Sequence, residues 1–282
     1  MDQDIQSKTR DIKLVFFDVD GTLLGRDGQY SESLQAQLRR IRAMGIKTAI
    51  ASGRPPFACQ FLFDELGLDA CGLFYTGGMI FDPSSQSCIH ESVLNKADLT
   101  PLLALIRQKQ VYCELYAGQQ HFVEASCDIS VAHGEHLRIQ PQRLQFETLM
   151  NDKHCSVQKL LIGVDERRAA GCLQELESQF PQFHFAYARF PAKPHCLFAS
   201  VIAADADKTA AFSRLLVHHQ VSPEQVMAFG DAGSDMTFLH LAGVGVAMGN
   251  AEAHVQAAAD CVTLSVDEDG VAHALKFLIP EQ

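Results

Sequence analysis

Asp18 and Asp20 follow a run of apolar residues in the segment DVDGT (18–22). Residues two apart on an extended chain point to the same side, so the two carboxylates can serve one reacting centre. One carboxylate can then attack as a nucleophile while the other donates and accepts a proton. An ordinary turn is the alternative interpretation, because the Asp-Gly dipeptide is common in turns. The position at the end of a predicted strand favours chemistry, since ligands of open parallel sheets bind there.

Three further clusters occur at the start of predicted helices or the end of predicted strands. Ser52 and Gly53 end the second predicted strand, where a hydroxyl and an amide can donate to a phosphoryl oxygen. Lys208 stands near the start of a predicted helix. Asp231 and Asp235 follow the strand VMAFG, and carboxylates suit Mg²⁺. Singly, each cluster has a simpler explanation, as a helix-entry loop, a solvated charge or an acidic helix cap. Their order at successive strand ends favours one shared site.

The elements that must position these residues alternate between apolar runs and helix-period segments, which is typical of an α/β fold with a parallel sheet. LVFFDVDG (14–21) is predicted to be a central strand, because its apolar run is continuous. Ser31 is predicted to cap a helix that runs to about Met44. Further core strands are predicted at 46–52, 72–78 and 226–231.

The sequence pattern changes from about Asp82 onward. Alternating strands at 111–118 and 120–126 predict a hairpin at Gly118, and helices are predicted at 101–109 and 166–179. After Lys193 the α/β pattern returns, beginning with the apolar run LFASVIA (197–203). We therefore expect a discontinuous core domain of residues 1–82 and 195–282, interrupted by an inserted α+β domain of residues 83–194.

Composition narrows the function classes. The 282 residues include 23 Lys and Arg against 34 Asp and Glu, a formal net charge of −11. An acidic chain without a basic run is a poor binder of nucleic-acid backbones. No apolar stretch approaches a membrane span, and the polar N-terminal segment carries no targeting signal. Nine scattered cysteines without a C-x-x-C pair predict reduced thiols and a cytoplasmic location.

The motifs DVDGTLL, SGR, the helix lysine and GDxxxD together resemble the four motifs of the haloacid dehalogenase (HAD) phosphatase superfamily. The insert between the second and third motifs resembles that of the Cof-like subfamily IIB, as do MGNA (248–251) and DEDGVAHAL (267–275). The resemblance implies a Rossmann-like parallel-sheet core with an inserted α/β cap domain that selects the substrate.

The resemblance also implies roles for individual residues. Asp18 is implied as the nucleophile that forms an aspartyl-phosphate, and Asp20 as the general acid that later becomes the base. The implied Mg²⁺ ligands are Asp18, the Asp20 carbonyl, Asp231 and Asp235. The implied phosphate-binding residues are Ser52, Gly53, Lys208 and Ser234. Auxiliary contacts are expected from Thr22, Arg54, Thr76 and Asn250.

Two positions depart from the family pattern. Ser234 stands where family members usually have Asn, and Thr76-Gly77-Gly78 replaces their N-G-A turn. Ser and Thr keep a hydroxyl but lose the reach and the second donor of an amide. The contacts made at these positions are therefore expected to differ from those of the family.

We expect a Mg²⁺-dependent phosphatase that hydrolyses small phosphorylated metabolites, such as sugar phosphates or phosphorylated cofactors, and that engages neither nucleic acid nor membrane. The sequence does not indicate its oligomeric state. Two alternatives stay open: a phosphotransferase or phosphomutase, and a non-catalytic regulatory protein that binds a phosphorylated ligand. The presence of Asp18, Asp20, Lys208 and Asp231 favours an enzyme, because a protein that only binds its ligand needs no acid or base. His133 and His136 have i, i+3 spacing, but no third metal ligand is evident nearby.

Overall fold

The computed structural model describes residue 5 and residues 8–190 and 192–280. Part of the N-terminal segment for which we predicted no targeting signal, residues 1–4, 6 and 7, lies outside these ranges. The chain divides into two compact units: a core unit of Met1–Pro55, Cys59–Ile89 and Asp207–Gln282, and a second unit of Pro56–Ala58 and His90–Ala206. Within the described ranges, no helix is both long and apolar enough to cross a membrane.

Strands and helices alternate along most of the chain, as the sequence predicts. The strands are β1 (Leu14–Phe17), β2 (Lys47–Ile50), β3 (Gly72–Phe74), β4 (Met79–Asp82), β5 (Ser87–Glu91), β6 (Tyr112–Ala117), β7 (Gln120–Val123), β8 (Gln142–Arg143), β9 (Val157–Asp165), β10 (Phe183–Arg189), β11 (Cys196–Ala203), β12 (Val226–Gly230), β13 (Val244–Ala247) and β14 (Cys261–Val262). The α-helices are α1 (Glu32–Ala43), α2 (Gln60–Leu66), α3 (Lys96–Gln108), α4 (Asp128–Leu137), α5 (Phe146–Asn151), α6 (Glu166–Ala169), α7 (Cys172–Gln179), α8 (Lys208–His219), α9 (Met236–Leu241), α10 (Ala253–Ala258) and α11 (Gly270–Leu278).

A five-stranded parallel sheet in the order β14-β13-β12-β1-β2 forms the centre of the core unit. All four residues of β1 are buried, which confirms the predicted buried strand, but β1 ends at Phe17 and not at the predicted residue 21. The hydroxyl of Ser31 accepts a hydrogen bond from the amide of Leu34 at 3.0 Å, so the predicted cap of α1 is confirmed. The carboxyl ends of β1, β2 and β12 therefore lie side by side, where the predicted site residues follow them.

The predicted strand 72–78 is too long, because β3 ends at Phe74. The next three residues, Tyr75, Thr76 and Gly77, have φ angles of 52°, 58° and 108°. A positive φ is incompatible with an extended strand, so the chain turns here. It then returns antiparallel to β3 as β4.

The second unit contains a six-stranded sheet in the order β10-β11-β9-β6-β7-β8. The run LFASVIA, which the sequence analysis assigned to the core domain, lies in this sheet within β11, between β10 and β9. That strand assignment was wrong, because a continuous apolar run fits a buried strand in either domain. The division between the units accordingly falls at 89/90 and 206/207, whereas the sequence placed it at 82/83 and 194/195.

Two helices of the second unit also differ from prediction. Helix α3 starts at Lys96, well before the predicted 101, because the Asn95 side chain accepts from the amides of the first turn. Its Pro101 lies inside the helix. The predicted helix 166–179 is two helices, α6 and α7, separated at Gly171, whose φ is +77°.

Candidate active site

Three carboxylates converge at the carboxyl end of the core sheet. Asp18 directly follows β1, and its amide donates to the Phe229 carbonyl of β12 at 3.0 Å. Asp231 directly follows β12, and Asp235 ends the short 3₁₀ turn Gly233–Asp235. One carboxylate oxygen from each aspartate lies within 4.8 Å of the other two. The sequence prediction that these residues from separate segments meet at one sheet edge is thus realised in the structure.

Two glycines make room for these carboxylates, and the sequence analysis assigned no role to either. Gly21 has a φ of +84°, and a Cβ there would lie 2.3 Å from Oδ2 of Asp231. A Cβ on Gly230 would lie 2.4 Å from the Cβ of Asp235. Both distances are far below van der Waals contact, so a side chain at either position would displace the neighbouring aspartate. The signal was visible in the motifs DVDGT and FGD, where each glycine adjoins an acidic residue.

Asn250 fixes the orientation of Asp231. Its Nδ2 donates to the Gly21 carbonyl at 2.9 Å and to Oδ2 of Asp231 at 3.2 Å. Its Oδ1 accepts from the amide of Val266 at 2.8 Å. One side chain therefore links the loop after β1, the aspartate after β12 and the turn before α11. Asn250, which was predicted only as an auxiliary contact, is thus hydrogen-bonded to all three of these segments.

Burial and mutual repulsion make this carboxylate group difficult to ionise. Burial, followed by the charges of Asp235, Asp231 and Asp20, raises the pKa of Asp18 well above its usual range. Burial and then the charge of Asp235 raise the pKa of Asp231 to about 7. Burial also raises the pKa of Asp235, although Lys208 and two backbone amides favour its charged form. The site therefore favours a bound cation, which would relieve the repulsion.

Lys208 is the first residue of α8, where Asp207 caps the helix by accepting from the Thr209 amide at 2.8 Å. The Lys208 ammonium donates to the Ser234 carbonyl. Burial lowers the pKa of Lys208, while the charges of Asp235 and Asp18 oppose that shift. The predicted lysine therefore reaches the carboxylate group, and Ser234 meets it through its backbone. The Ser234 hydroxyl donates to Oδ1 of Asp235 at 3.3 Å.

The carboxylate of Asp20 forms an ion pair with Arg54. Nε and Nη2 of Arg54 donate to the two oxygens of Asp20, each at 2.7 Å. The Arg54 side chain is only 4% exposed, whereas that of Asp20 is 41% exposed. A bidentate pair of this kind fixes direction as well as charge. Asp20 is therefore an oriented, solvent-accessible carboxylate beside the buried cluster.

The loop of Ser52, Gly53 and Arg54 lies against the turn after β3. The Ser52 amide donates to the Leu73 carbonyl at 2.9 Å, and the Ser52 hydroxyl accepts from the Arg54 amide at 3.3 Å. The Thr76 hydroxyl is 3.1 Å from the position that a Cβ on Gly53 would take. The structure thus places Thr76 directly beside the predicted phosphate-binding loop.

The donor set fits Mg²⁺, which prefers carboxylate oxygens and bound water. Oδ1 of Asp231 is buried and has no hydrogen-bond partner among the described residues, as a carboxylate oxygen reserved for a cation would be. The group Asp18, Asp231 and Asp235 is also the one set of three His, Cys, Asp or Glu ligands that the described part of the chain brings together. The Thr22 hydroxyl, another predicted auxiliary, is buried and likewise lacks a partner there.

The second unit contains a buried polar cluster that the sequence analysis did not predict. Glu114, fully buried, accepts from the Tyr116 hydroxyl at 2.7 Å and from the Tyr112 hydroxyl, and lies 2.9 Å from Nδ1 of His133. His133 belongs to helix α4 and stacks on His136. The described residues provide no third ligand for the metal pair that the spacing of His133 and His136 could suggest.

Comparison with known proteins identifies the family. The family model for haloacid dehalogenase-like hydrolases matches residues 15–275. The chain belongs to the haloacid dehalogenase-like hydrolases. Phosphatase YwpJ of Bacillus subtilis is 28% identical to this HAD hydrolase, covering 95% of the chain and all of the relative. The 5-amino-6-(5-phospho-D-ribitylamino)uracil phosphatase YitU of the same species is 26% identical, covering 93% of the chain and 96% of the relative.

A solved structure is similar over almost the whole length of this HAD hydrolase. The HAD subclass IIB sugar phosphatase BT4131 superposes with a TM-score of 0.79 and 26% identity, covering 94% of this chain and 98% of BT4131. The predicted family, the Cof-like subfamily and the α/β fold with an inserted domain are thereby confirmed. The prediction of a phosphoric monoester hydrolase is confirmed with them.

Proposed function

We propose that this HAD hydrolase is a Mg²⁺-dependent phosphatase that acts on small phosphomonoesters through an aspartyl-phosphate on Asp18. The observation that carries the proposal is the convergence of the Asp18, Asp231 and Asp235 carboxylates beside the Lys208 ammonium. Such a group binds a cation and a phosphoryl anion together, which is the central requirement of phosphoryl transfer. An acidic helix cap without chemistry would not need a lysine ammonium beside it.

Asp18 is the nucleophile in this proposal. Its carboxylate oxygen attacks phosphorus, a new oxygen–phosphorus bond forms, and the bond to the leaving alcohol breaks. Asp20 donates its proton to the departing oxygen, then accepts a proton from the water that hydrolyses the aspartyl-phosphate. Both Asp20 oxygens accept from Arg54 in the structure, so one of these hydrogen bonds must be released when Asp20 carries the proton for the first transfer. Two separate carboxyl groups are needed, and the structure keeps their environments different.

Mg²⁺ would be held by Asp18, Asp231, Asp235 and the Asp20 carbonyl. When bound, it would neutralise the carboxylates and stabilise charge on the phosphoryl oxygens. Ser52, Gly53, Lys208 and Ser234 are proposed to bind the phosphoryl group, with Lys208 adding a positive charge beside the carboxylates. Asn250 is proposed to hold Asp231 in its binding orientation through the 3.2 Å contact with Oδ2.

The relatives support a small phosphorylated metabolite as the substrate. BT4131 is described as a sugar phosphatase, and YitU as a phosphatase of a phosphoribitylamino uracil. We further propose that the second unit selects the substrate, as the resemblance implies for an inserted domain, and that the protein works in the cytoplasm. All nine cysteines are free thiols in the structure, which agrees with that location.

A panel of phosphorylated metabolites, assayed with Mg²⁺ and with a chelator, tests this function. We expect release of inorganic phosphate from several phosphomonoesters and loss of turnover with the chelator. The Asp18→Asn variant serves as the matched control, because its amide is nearly isosteric but cannot attack phosphorus. Turnover that survives in the chelator or in Asp18→Asn would refute the mechanism. Phosphate binding without turnover of any ester would favour the regulatory alternative.

A further inference from the structure

The turn after β3 carries backbone strain at a position next to the site. Tyr75 and Thr76 have φ angles of 52° and 58°, and Gly77 follows at 108°. The left-handed region brings Cβ close to the following carbonyl oxygen, and a β-branched residue such as threonine is a genuine outlier there. Strain of this kind persists where the surrounding structure imposes it, and it clusters at functional sites.

The surroundings of the turn are the backbone of the proposed phosphate-binding loop. The Tyr75 amide donates to the Arg54 carbonyl at 3.1 Å, and the Thr76 amide donates to the Ser52 carbonyl at 3.2 Å. Two consecutive amides therefore hold both ends of a three-residue loop. An extended Tyr75 could not make both bonds, because an extended chain points consecutive amides in opposite directions; its φ of 52° turns the chain at this point.

The Thr76 side chain completes the clamp. Thr76 is only 9% exposed, and its hydroxyl lies 3.1 Å from the position of a Cβ on Gly53, so it fills the side of the loop where residue 53 lacks a side chain. On the other side of the turn, a Cβ on Gly77 would lie 3.0 Å from Cγ of Lys208. The turn thus contacts both elements that are proposed to bind the phosphoryl group.

We propose that Thr76 is a positioning residue of the phosphatase: its strained backbone and its hydroxyl hold the Ser52-Gly53-Arg54 loop in the geometry that binds the phosphoryl group. The inference rests on the proposed function, since the loop position matters for turnover only if that loop binds phosphate. Asparagine and glycine tolerate a positive φ far better than threonine. A position selected for stability alone would favour one of them.

Three substitutions separate the hydroxyl from the strain. Thr76→Val keeps the shape and the strain but removes the hydroxyl. Thr76→Ser keeps the hydroxyl and serves as the conservative rescue. Thr76→Asn relieves the strain and removes the hydroxyl. Gln220→Asn is the matched control for strain, because Gln220 has the same φ of 58° and lies exposed at the far end of α8.

The measurements are kcat/KM with a nitrophenyl phosphate, the inhibition constant of inorganic phosphate, and Tm. Thr76→Val is expected to lose about tenfold in kcat/KM and to bind phosphate more weakly at an unchanged Tm, since small displacements of a binding loop are costly. Thr76→Ser should stay within about threefold of wild type. Thr76→Asn should raise Tm by about 3 °C and lose activity, whereas Gln220→Asn should raise Tm alone.

Wild-type kinetics and phosphate inhibition in Thr76→Val would overturn the positioning role. A Thr76→Asn variant that is more stable and fully active would overturn it as well, because the strain would then serve no purpose. Failure of the proposed function is a different result, namely a wild-type protein that hydrolyses no phosphomonoester. In that case calorimetric titration with inorganic phosphate in Mg²⁺ decides: equal affinities of wild type and Thr76→Val refute the inference.

Discussion

Replacing Gly21 with alanine tests whether the loop after β1 was shaped to admit the Asp231 carboxylate. At a φ of +84° an L-residue is disfavoured by about 1–2 kcal/mol. The new Cβ would also lie 2.3 Å from Oδ2 of Asp231, about 1 Å inside normal contact. The carboxylate must therefore move by about that distance and lose its 3.2 Å bond from Asn250. A displacement of about 1 Å in a catalytic group lowers the rate by roughly a hundredfold.

Gly28→Ala is the matched control for this experiment. Gly28 has a similar φ of +70°, but a Cβ there meets no atom within 4 Å. Denaturant unfolding should show a loss of about 1–2 kcal/mol in Gly28→Ala with normal kinetics. Gly21→Ala should lose more stability, about a hundredfold in kcat/KM, and much of its Mg²⁺ affinity. If both variants kept wild-type kinetics and Mg²⁺ dependence, the proposed role of Asp231 at this position would be wrong.

Three further predictions address single side chains. In Asp20→Asn, phosphoenzyme formation measured by rapid quench should slow more for an alkyl phosphate than for a nitrophenyl phosphate, which needs little leaving-group protonation. Equal losses of rate for the two substrates would remove Asp20 from the acid role. Ser234→Ala should lose roughly 1 kcal/mol in kcat/KM if the hydroxyl contacts substrate, whereas a lower Tm with normal kinetics would assign it to structure. Burial holds the pKa of His121 at about 4, below its value in the unfolded chain. The wild type should therefore lose up to about 3 kcal/mol of stability between about pH 6.5 and 4. His121→Phe should remove that part of the pH dependence, and an unchanged dependence of unfolding free energy on pH would contradict the assignment.

The sign of the His121 prediction follows from proton counting. Below about pH 6.5 the unfolded chain protonates this imidazole while the folded protein keeps it neutral, so acid favours unfolding. The ring is fully buried, and neither nitrogen has a hydrogen-bond partner among the described residues. Phenylalanine preserves the stacking of residue 121 on Tyr116 and Phe57 without a group that titrates.

The parts of the fold that local chemistry determines were predictable from the sequence. A continuous apolar run predicted β1, and Ser31 predicted the start of α1, because burial on both faces and capping leave direct marks on residue types. The sheet to which an apolar run belongs leaves no such mark, so LFASVIA was assigned to the wrong unit. The early end of β3 was also missed, since a positive φ at Tyr75 and Thr76 has no signal in residues that normally avoid it.

The residues that form the site were easier to predict from the sequence than the hydrogen bonds and ion pairs between their side chains. Asp18, Asp231 and Asp235 come together because the strands before them end at one edge of the sheet, as their positions after predicted strands suggest. Lys208 reaches them from the start of α8. The partner of Asp20 was not foreseen, because Arg54 was assigned only an unspecified auxiliary role. Such pairings depend on side-chain directions that the sequence pattern does not carry.

Trapping of the phosphoenzyme tests the central claim most directly. A radiolabelled phosphomonoester is mixed with enzyme, quenched in acid within one turnover, and the labelled protein is reduced with borohydride, which converts an acyl phosphate on aspartate to homoserine. We expect wild-type protein that carries the label before reduction and homoserine at position 18 after it, and no label in Asp18→Asn. Product formation without labelled protein, or a label at another residue, would contradict Asp18 as the nucleophile.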